Sequence, residues 1–415
     1  MKNETYQTDI GRIPVGWVPY RVGELVSFSG GSQPDKSTFK FRPSKGYIRL
    51  IQIRDYKTDK YETYIPEVLA RKTCGEHDVM IGRYGPPIFQ ILRGIKGAYN
   101  VALIKAIPSD KVDAEFFYHF IRNENLYGLM ESLSRRSSGQ TGVELSALRE
   151  YPLPLPKKKE QIAIANALSD VDALIASLES LITKKRAIKT AAMQQLLTGK
   201  KRLPPFDKTH TGYKQTELGE IPGDWSVVKL GNVLERIIGG GTPGRSNPAY
   251  WGDEIPWVTV KDFATFDPEL SQEYITKIGL QNSSSNLVPE GTLITSTRMA
   301  LGKAVIYDVP VAINQDLKAL FPKKIVSTKF LYYWFEDNAE IIDEMGSGST
   351  VKGLSLSDLK SIEFRLPSIE EQTAITKVLD GMDKDIGSLE RRLTKTQQLK
   401  QGMMQELLTG KTRLV

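Results

Sequence analysis

The sequence predicts an α+β protein made of two consecutive copies of one unit, each a globular part followed by a long helix. Two observations carry most of this. A stretch of 41 residues starting at Glu160, EQIAIANALSDVDALIASLESLITKKRAIKTAAMQQLLTGK, returns without a gap as EQTAITKVLDGMDKDIGSLERRLTKTQQLKQGMMQELLTGK from Glu371. The opening QTDIGRIPVGW (residues 7–17) returns as QTELGEIPGDW (residues 215–225), so the repeat extends beyond the helices.

Within the first long segment, apolar residues fall at Ile164, Leu168, Val171, Ile175, Leu178 and Ile182. Their counterparts in the second are Ile375, Leu379, Met382, Ile386, Leu389 and Leu393. Alternating steps of four and three make a narrow heptad seam, the pattern of helices that pack along their length. Neither segment contains proline, and each closes on Thr-Gly-Lys, where glycine can take the left-handed C-terminal cap. Some 40 residues at 1.5 Å each give a rod of roughly 60 Å, long enough to act as a spacer. The simplest way to bury both seams is against each other. An antiparallel coiled-coil pair would relate the halves by a pseudo-two-fold axis.

Four segments follow: residues 1–157 as the first globular domain, 158–200 as the first helix, 201–367 as linker and second globular domain, and 368–415 as the second helix. The junction KKRLPPFDKTHTGYK (residues 200–214) is polar and proline-bearing, which reads as an exposed linker. In the first globular part YIRLIQIRDY (47–56), HDVMIGRYG (77–85) and AYNVALIKAI (98–107) read as strands; IPWVTVKDF (255–263), GTLITSTR (291–298) and VAINQDLKALF (311–321) take the same places in the second. Each part then reaches an aromatic-rich helix, with Asp113 placed to cap AEFFYHFIR and Ser327 to cap TKFLYYWFE.

Composition narrows the function. A chain of 415 residues has room for two or three domains with real cores. The net charge of +7 and pI near 9.1 favour a polyanionic partner, though the excess is modest. A single cysteine, Cys74, rules out internal disulfides and fits a reducing cytosol. No apolar signal-peptide core opens the chain and no uninterrupted membrane span is legible, so a soluble cytoplasmic protein without membrane partners is expected.

Catalytic chemistry is not legible. No phosphate-binding GxxxxGK[ST] occurs, and His77, His119 and His210 are scattered, which offers no metal site. Asn247-Pro248-Ala249-Tyr250 approaches the Asn-Pro-Pro-Tyr of amino-methyltransferases, but no glycine-rich cofactor loop accompanies it, and it reads as a turn. What remains is basic, amide and aromatic side chains on or beside the strand candidates: Arg49, Arg54, Arg83, Tyr84, Arg93 and Asn100 in the first half, Lys261, Arg298, Lys303, Asn314 and Gln315 in the second. Arginine suits guanine edges and phosphates, and Asn and Gln pair with adenine, so the set marks a candidate nucleic-acid face. Two rival classes stand beside it: a coiled-coil scaffold joining protein partners without reading DNA, and a stand-alone DNA methyltransferase or nuclease with atypical motifs.

These features resemble the specificity (S) subunit of Type I restriction-modification systems. The resemblance rests on the two IPxxW openings at Ile13 and Ile221, on GGGTPGRSNPAYWGDEIPWVTVKD (239–262), on MGSGSTVKGLSLSDL (345–359), on LPSIEEQTAI (366–375) and on the repeated LLTGK. The first half departs from the pattern at Gly30-Gly31-Ser32-Gln33-Pro34 and at Ser138-Gly139-Gln140-Thr141-Gly142. The resemblance implies a chain without catalytic activity or cofactor of its own, whose two target recognition domains each read half of a bipartite, asymmetric sequence in double-stranded DNA. It further implies that the paired helices set the gap between half-sites and dock two methyltransferase (M) subunits that use S-adenosylmethionine. Restriction (R) subunits would join the same assembly.

Overall fold

The computed structural model describes residues 4–136, 142–208, 212–348 and 352–414. The loop motif at 138–141, its counterpart at 349–351 and linker residues 209–211 lie outside the described residues. The chain forms two compact units: Met1–Glu179 together with Arg391–Val415, and Ser180–Glu390. Each unit thus combines one globular head with the beginning of one long helix and the end of the other.

In the first unit the elements that position the candidate site are β1 (Val26–Gly30), β2 (Tyr47–Ile51), β3 (Tyr64–Pro66), β4 (Thr73–Cys74), β5 (Val79–Gly82), β6 (Gln90–Leu92), β7 (Gly97–Tyr99) and β8 (Leu103–Pro108). They form two four-stranded sheets, ordered β1-β8-β5-β6 and β3-β2-β7-β4. Helices α1 (Ala114–Phe120), α2 (Glu124–Arg136) and α3 (Leu145–Glu150) follow, then the long α4 (Lys158–Leu196), which runs on into the second unit. The second unit repeats the plan. Its strands are β9 (Leu234–Gly239), β10 (Trp251–Val258), β11 (Tyr274–Ile275), β12 (Asn286–Val288), β13 (Leu293–Ser296), β14 (Ala304–Ile306), β15 (Val311–Ile313) and β16 (Leu317–Pro322), in sheets β9-β16-β13-β14 and β11-β10-β15-β12. Helices α5 (Thr328–Asp337), α6 (Ala339–Glu344) and α7 (Leu356–Ser361) precede the long α8 (Ile369–Leu407).

The runs 98–107 and 311–321, each expected as one strand, are broken into β7 and β8 and into β15 and β16, and the two pieces belong to different sheets. The break falls at Asn100 and Asn314. Asn100 Oδ1 accepts the Ala102 N–H and Asn314 Oδ1 accepts the Asp316 N–H, each at 3.1 Å. A short amide side chain that bonds the backbone two residues on makes a corner no apolar residue could make.

The heptad seams are not confined to helix-on-helix packing. Ile164 and Leu168 enter the core of the first unit with Trp17, Phe116 and Phe120, and there meet Leu407 and Leu408 from the end of α8. Ile375 and Leu379 enter the second core with Trp225 and Phe330, beside Met193 and Leu196 from the end of α4. Leu178, Ile182 and Ile386 are buried, while Val171, Ile175, Met382, Leu389 and Leu393 are half-buried. The two helical segments of a unit run antiparallel. In the second unit Lys185 meets Asp385 at 3.2 Å and Lys189 meets Asp383 at 2.7 Å. In the first, Lys400 pairs with Asp172. Among the described residues, α4 is the one helix that by length and composition could cross a membrane, but its apolar positions near both ends are buried in these two cores.

Glycine closes both rods as the Thr-Gly-Lys endings predict. Gly199 and Gly410 sit at φ 74° and 69°, and a Cβ would lie 2.5 Å from Pro222 or 2.4 Å from Pro14. Asp113 caps α1 by accepting the Glu115 and Phe116 N–H groups at 3.0 Å. Ser327 stands at the equivalent place but its side chain makes no cap bond; its backbone N–H donates instead to Gln372 Oε1 at 2.9 Å.

Candidate nucleic-acid interface

Three pieces of backbone converge in each unit to build one surface: a glycine loop, the asparagine corner and a β-hairpin. In the second unit the glycine loop begins at Gly240, whose Cβ, if present, would stand 1.9 Å from the Ile313 carbonyl oxygen. In the first unit Gly31 meets the Asn100 carbonyl oxygen at the same distance. Only glycine permits the loop to pass this close to the corner. Thr242 on that loop donates to Gln315 Oε1 at 2.7 Å, which ties loop to corner.

The hairpins connect β5 to β6 and β13 to β14, both pairs antiparallel. Their stems are held in the same way. On one side the Arg83 N–H donates to the Ala102 carbonyl at 2.8 Å, and the Thr297 N–H to the Asp316 carbonyl at 2.9 Å, so the corner carries the hairpin. On the other, the Val143 N–H donates to the Arg83 carbonyl at 3.0 Å and the Leu354 N–H to the Thr297 carbonyl at 2.9 Å. At the tips the side chains differ. The first presents exposed Arg83 and Tyr84, with the guanidinium 5.3 Å from the ring centroid. The second presents Arg298, 3.7 Å from the half-satisfied Asp316 carboxylate, and Met299.

The sequence candidates separate by what holds them. Arg83, Tyr84, Arg298 and Gln315 reach solvent around the corner and hairpin, and Lys303 is exposed where the second hairpin returns. Lys261 is exposed on the turn after β10, away from the bonds that tie corner, loop and hairpin. Asn100 and Asn314 are buried and spend their amides on the corner itself. Arg49 is held among Asp59 and Glu62, each at 2.9 Å. Arg93 bonds Glu115 at 2.6 Å and lies 3.6 Å from the Tyr118 ring centroid, and Arg54 leans on Tyr61. Arg49 and Arg93, neutralised by close carboxylates, contribute little field to an incoming polyanion. Asn247 accepts the Ala249 N–H at 3.1 Å and caps a single turn.

Sequence reasoning used Glu160-Gln161 and Glu371-Gln372 only as register marks, yet these four buried side chains fix the heads to the rods. Glu160 accepts from Trp17 Nε1 at 3.1 Å and Glu371 from Trp225 Nε1 at 2.9 Å. Gln161 accepts the Asp113 N–H at 2.7 Å and donates to the Lys111 and Pro156 carbonyls; Gln372 does the same with Ser327, Ile325 and Pro367. The readable signal was the recurrence of tryptophan in IPxxW together with Glu-Gln, polar residues inside otherwise apolar, repeated surroundings. His119, one of the three scattered histidines, lies on the aromatic helix α1. It is fully buried, its Nε2 lies 3.0 Å from Ser169 Oγ, and burial pushes its pKa down to about 4 against the pull of Asp172.

Two copies of one head, alike in the stem and different at the exposed tip, define a class of protein built from two variant copies of one domain. Comparison with known proteins places the chain within that class. The model of the Type I restriction modification DNA specificity domain matches residues 14–188 and 222–401, and the chain belongs to this family. It is similar to the Type I restriction enzyme MjaVIII specificity subunit of Methanocaldococcus jannaschii, 24% identical across 100% of this chain and 97% of that one. With the MjaIX specificity subunit of the same organism it shares 35% identity over 42% of this chain and 41% of that one. The fold is that of the Type I restriction-modification S subunit from M. genitalium, with a TM-score of 0.60, 16% identity and coverage of 98% and 99%. The chain is a DNA sequence-specificity subunit of the Type I restriction-modification kind.

Proposed function

We propose that each head reads one half of a bipartite, asymmetric duplex sequence and that the chain performs no chemistry itself. The observation that carries this is the hairpin pair: the same stem, bonded to the same corner, carries exposed Arg83 and Tyr84 in one unit where it carries Thr297 and exposed Arg298 in the other. Two copies of one reader with different tips give two different half-sites. Methylation then falls to two methyltransferase subunits that bind S-adenosylmethionine and dock on the helical segments, and restriction subunits join the same cytoplasmic assembly.

The test is single-molecule mapping of methylated adenines in cells carrying the methyltransferase partner, with and without this chain. A bipartite motif should appear only when both are present. Purified chain that transferred a methyl group from S-adenosylmethionine unaided would overturn the non-catalytic reading.

A further inference from the structure

The second hairpin carries a feature that packing does not require. Met299 and Ala300 have φ of 56° and 37°, left-handed values that side chains with a Cβ rarely adopt. The backbone is nevertheless pinned on every side. The Met299 N–H donates to the Lys352 carbonyl at 3.1 Å, Leu301 is buried in the core beneath, and Gly302 packs so tightly on α6 that a Cβ would lie 2.5 Å from the Ala339 carbonyl oxygen. The outcome of this strain is a methionine that is 49% exposed beside an arginine that is 58% exposed at its side chain. Exposure alone is ordinary among the apolar side chains of this chain; what sets Met299 apart is the strained, bonded backbone that presents it. It is what a groove reader needs, because a pinned backbone loses little freedom on binding.

We propose that the hairpin tips are the base-reading elements of the two units, and that Arg298 and Met299 together read a guanine and a neighbouring thymine. This rests on the specificity-subunit reading above and assigns it to residues. The guanidinium supplies the paired donors that match guanine O6 and N7, and the thioether supplies an apolar surface for the thymine 5-methyl group, a feature only thymine presents in the major groove. In the first unit Tyr84 holds the register position of Arg298 and Arg83 that of Thr297, and the Tyr84 ring steadies the Arg83 guanidinium for the other half-site. Arg49 and Arg93, held by carboxylates, take no part.

The test uses the full chain assembled with its methyltransferase partner and the duplex defined by methylation mapping. Affinity is measured for that duplex, for every single base-pair change, and for duplexes in which one thymine at a time is replaced by deoxyuridine, which removes only the methyl group. Arg298→Ala should weaken the cognate duplex roughly ten- to a hundredfold, with preference relaxed at one base pair of one half-site. Arg298→Lys, which keeps the charge and loses the fork, should behave like alanine at that base pair. The unsubstituted complex should lose affinity at one deoxyuridine position, and Met299→Ala should be insensitive to that replacement. Tyr84→Ala should alter only the other half-site. Equal loss on every sequence, or no deoxyuridine position coupled to Met299, would overturn the assignment while leaving the specificity-subunit reading intact. An unsubstituted complex with no sequence preference would overturn both.

Discussion

The Arg413 guanidinium closes onto the carboxylate of Glu160, with Nη2 at 2.7 Å from Oε2, across 253 positions of sequence. Glu160 is 1% exposed and already accepts the Trp17 indole N–H. The second unit builds the same node from Arg202, Glu371 and Trp225, with Arg202 Nη2 2.7 Å from Glu371 Oε2. Because Arg413 lies beyond the end of α8 and Glu160 at the start of α4, the node fastens the end of one repeat to the beginning of the other within a single compact unit.

Removing the cation should strand a buried carboxylate. Arg202→Ala is expected to cost about 3–5 kcal/mol, because Arg202 is almost wholly buried. Arg413→Ala should cost less, since that side chain is a quarter exposed. Urea unfolding followed by tryptophan fluorescence reads both, and unchanged midpoints would show that water compensates the carboxylate.

His119 should make the first unit acid-sensitive. Its pKa falls to about 4 in the fold, mainly through burial and with the nearby cations Arg122, Lys400 and Arg93 contributing, against about 6.5 when unfolded. The unfolded chain therefore binds the extra proton first, and stability contributed by neutral His119 is complete above pH 6.5 and drains away as pH falls toward 4. Comparing His119→Gln with the unsubstituted chain by denaturation at several pH values isolates the effect. The difference between them should change with pH by at most about 1.4 kcal/mol per unit in that window. A pH-independent difference would count against it.

Glycine at the rod ends is required twice over, by its left-handed backbone and by its neighbours. Gly410→Ala and Gly199→Ala should each lose about 1–2 kcal/mol for the backbone alone, with more from overlap with Pro14 and Trp17 or Pro222 and Trp225. Gly381→Ala, with nothing near its Cβ position in mid-helix, should instead stabilise by up to about 1 kcal/mol. Thermal melts of the three variants decide, and like behaviour at all three sites would contradict the packing account.

A chain ending at residue 208 should dimerise. It lacks 391–415, which the first unit incorporates, but keeps Lys189 and Arg202, the counterparts of Lys400 and Arg413. In a second copy these can meet Asp172 and Glu160, and with the methyltransferase partner such a dimer should direct methylation to a symmetric site. Sedimentation reads the assembly state; a folded monomer would refute the exchange.

One heptad added after Leu178 and after Leu389 should lengthen the spacer by roughly 10 Å, or about three base pairs. Both insertions fall beside the places where the chain leaves one unit for the other, Glu179/Ser180 and Glu390/Arg391. Three base pairs also rotate the second half-site by about 100°, so the motif should keep its half-sites and either widen its gap or be modified weakly at the old one. Full-strength methylation at the original gap would show that the helices do not set the spacing.

The sequence by itself determined the duplication, the two long helices with their glycine ends, and the aromatic helices, because register, heptad period and caps are local properties that a repeat displays twice. It also assembled a set of polar candidates on or beside strands. Only the tertiary structure decided that Asn100 and Asn314 are corners, that Arg49 and Arg93 are held by carboxylates, and that Met299 is pushed into solvent. Likewise, that the end of α8 completes the first unit is not written at any one position. Whether a side chain is free or spent depends on partners tens to hundreds of residues away, and charge and period along the chain carry no information about which groups the fold brings within 3 Å.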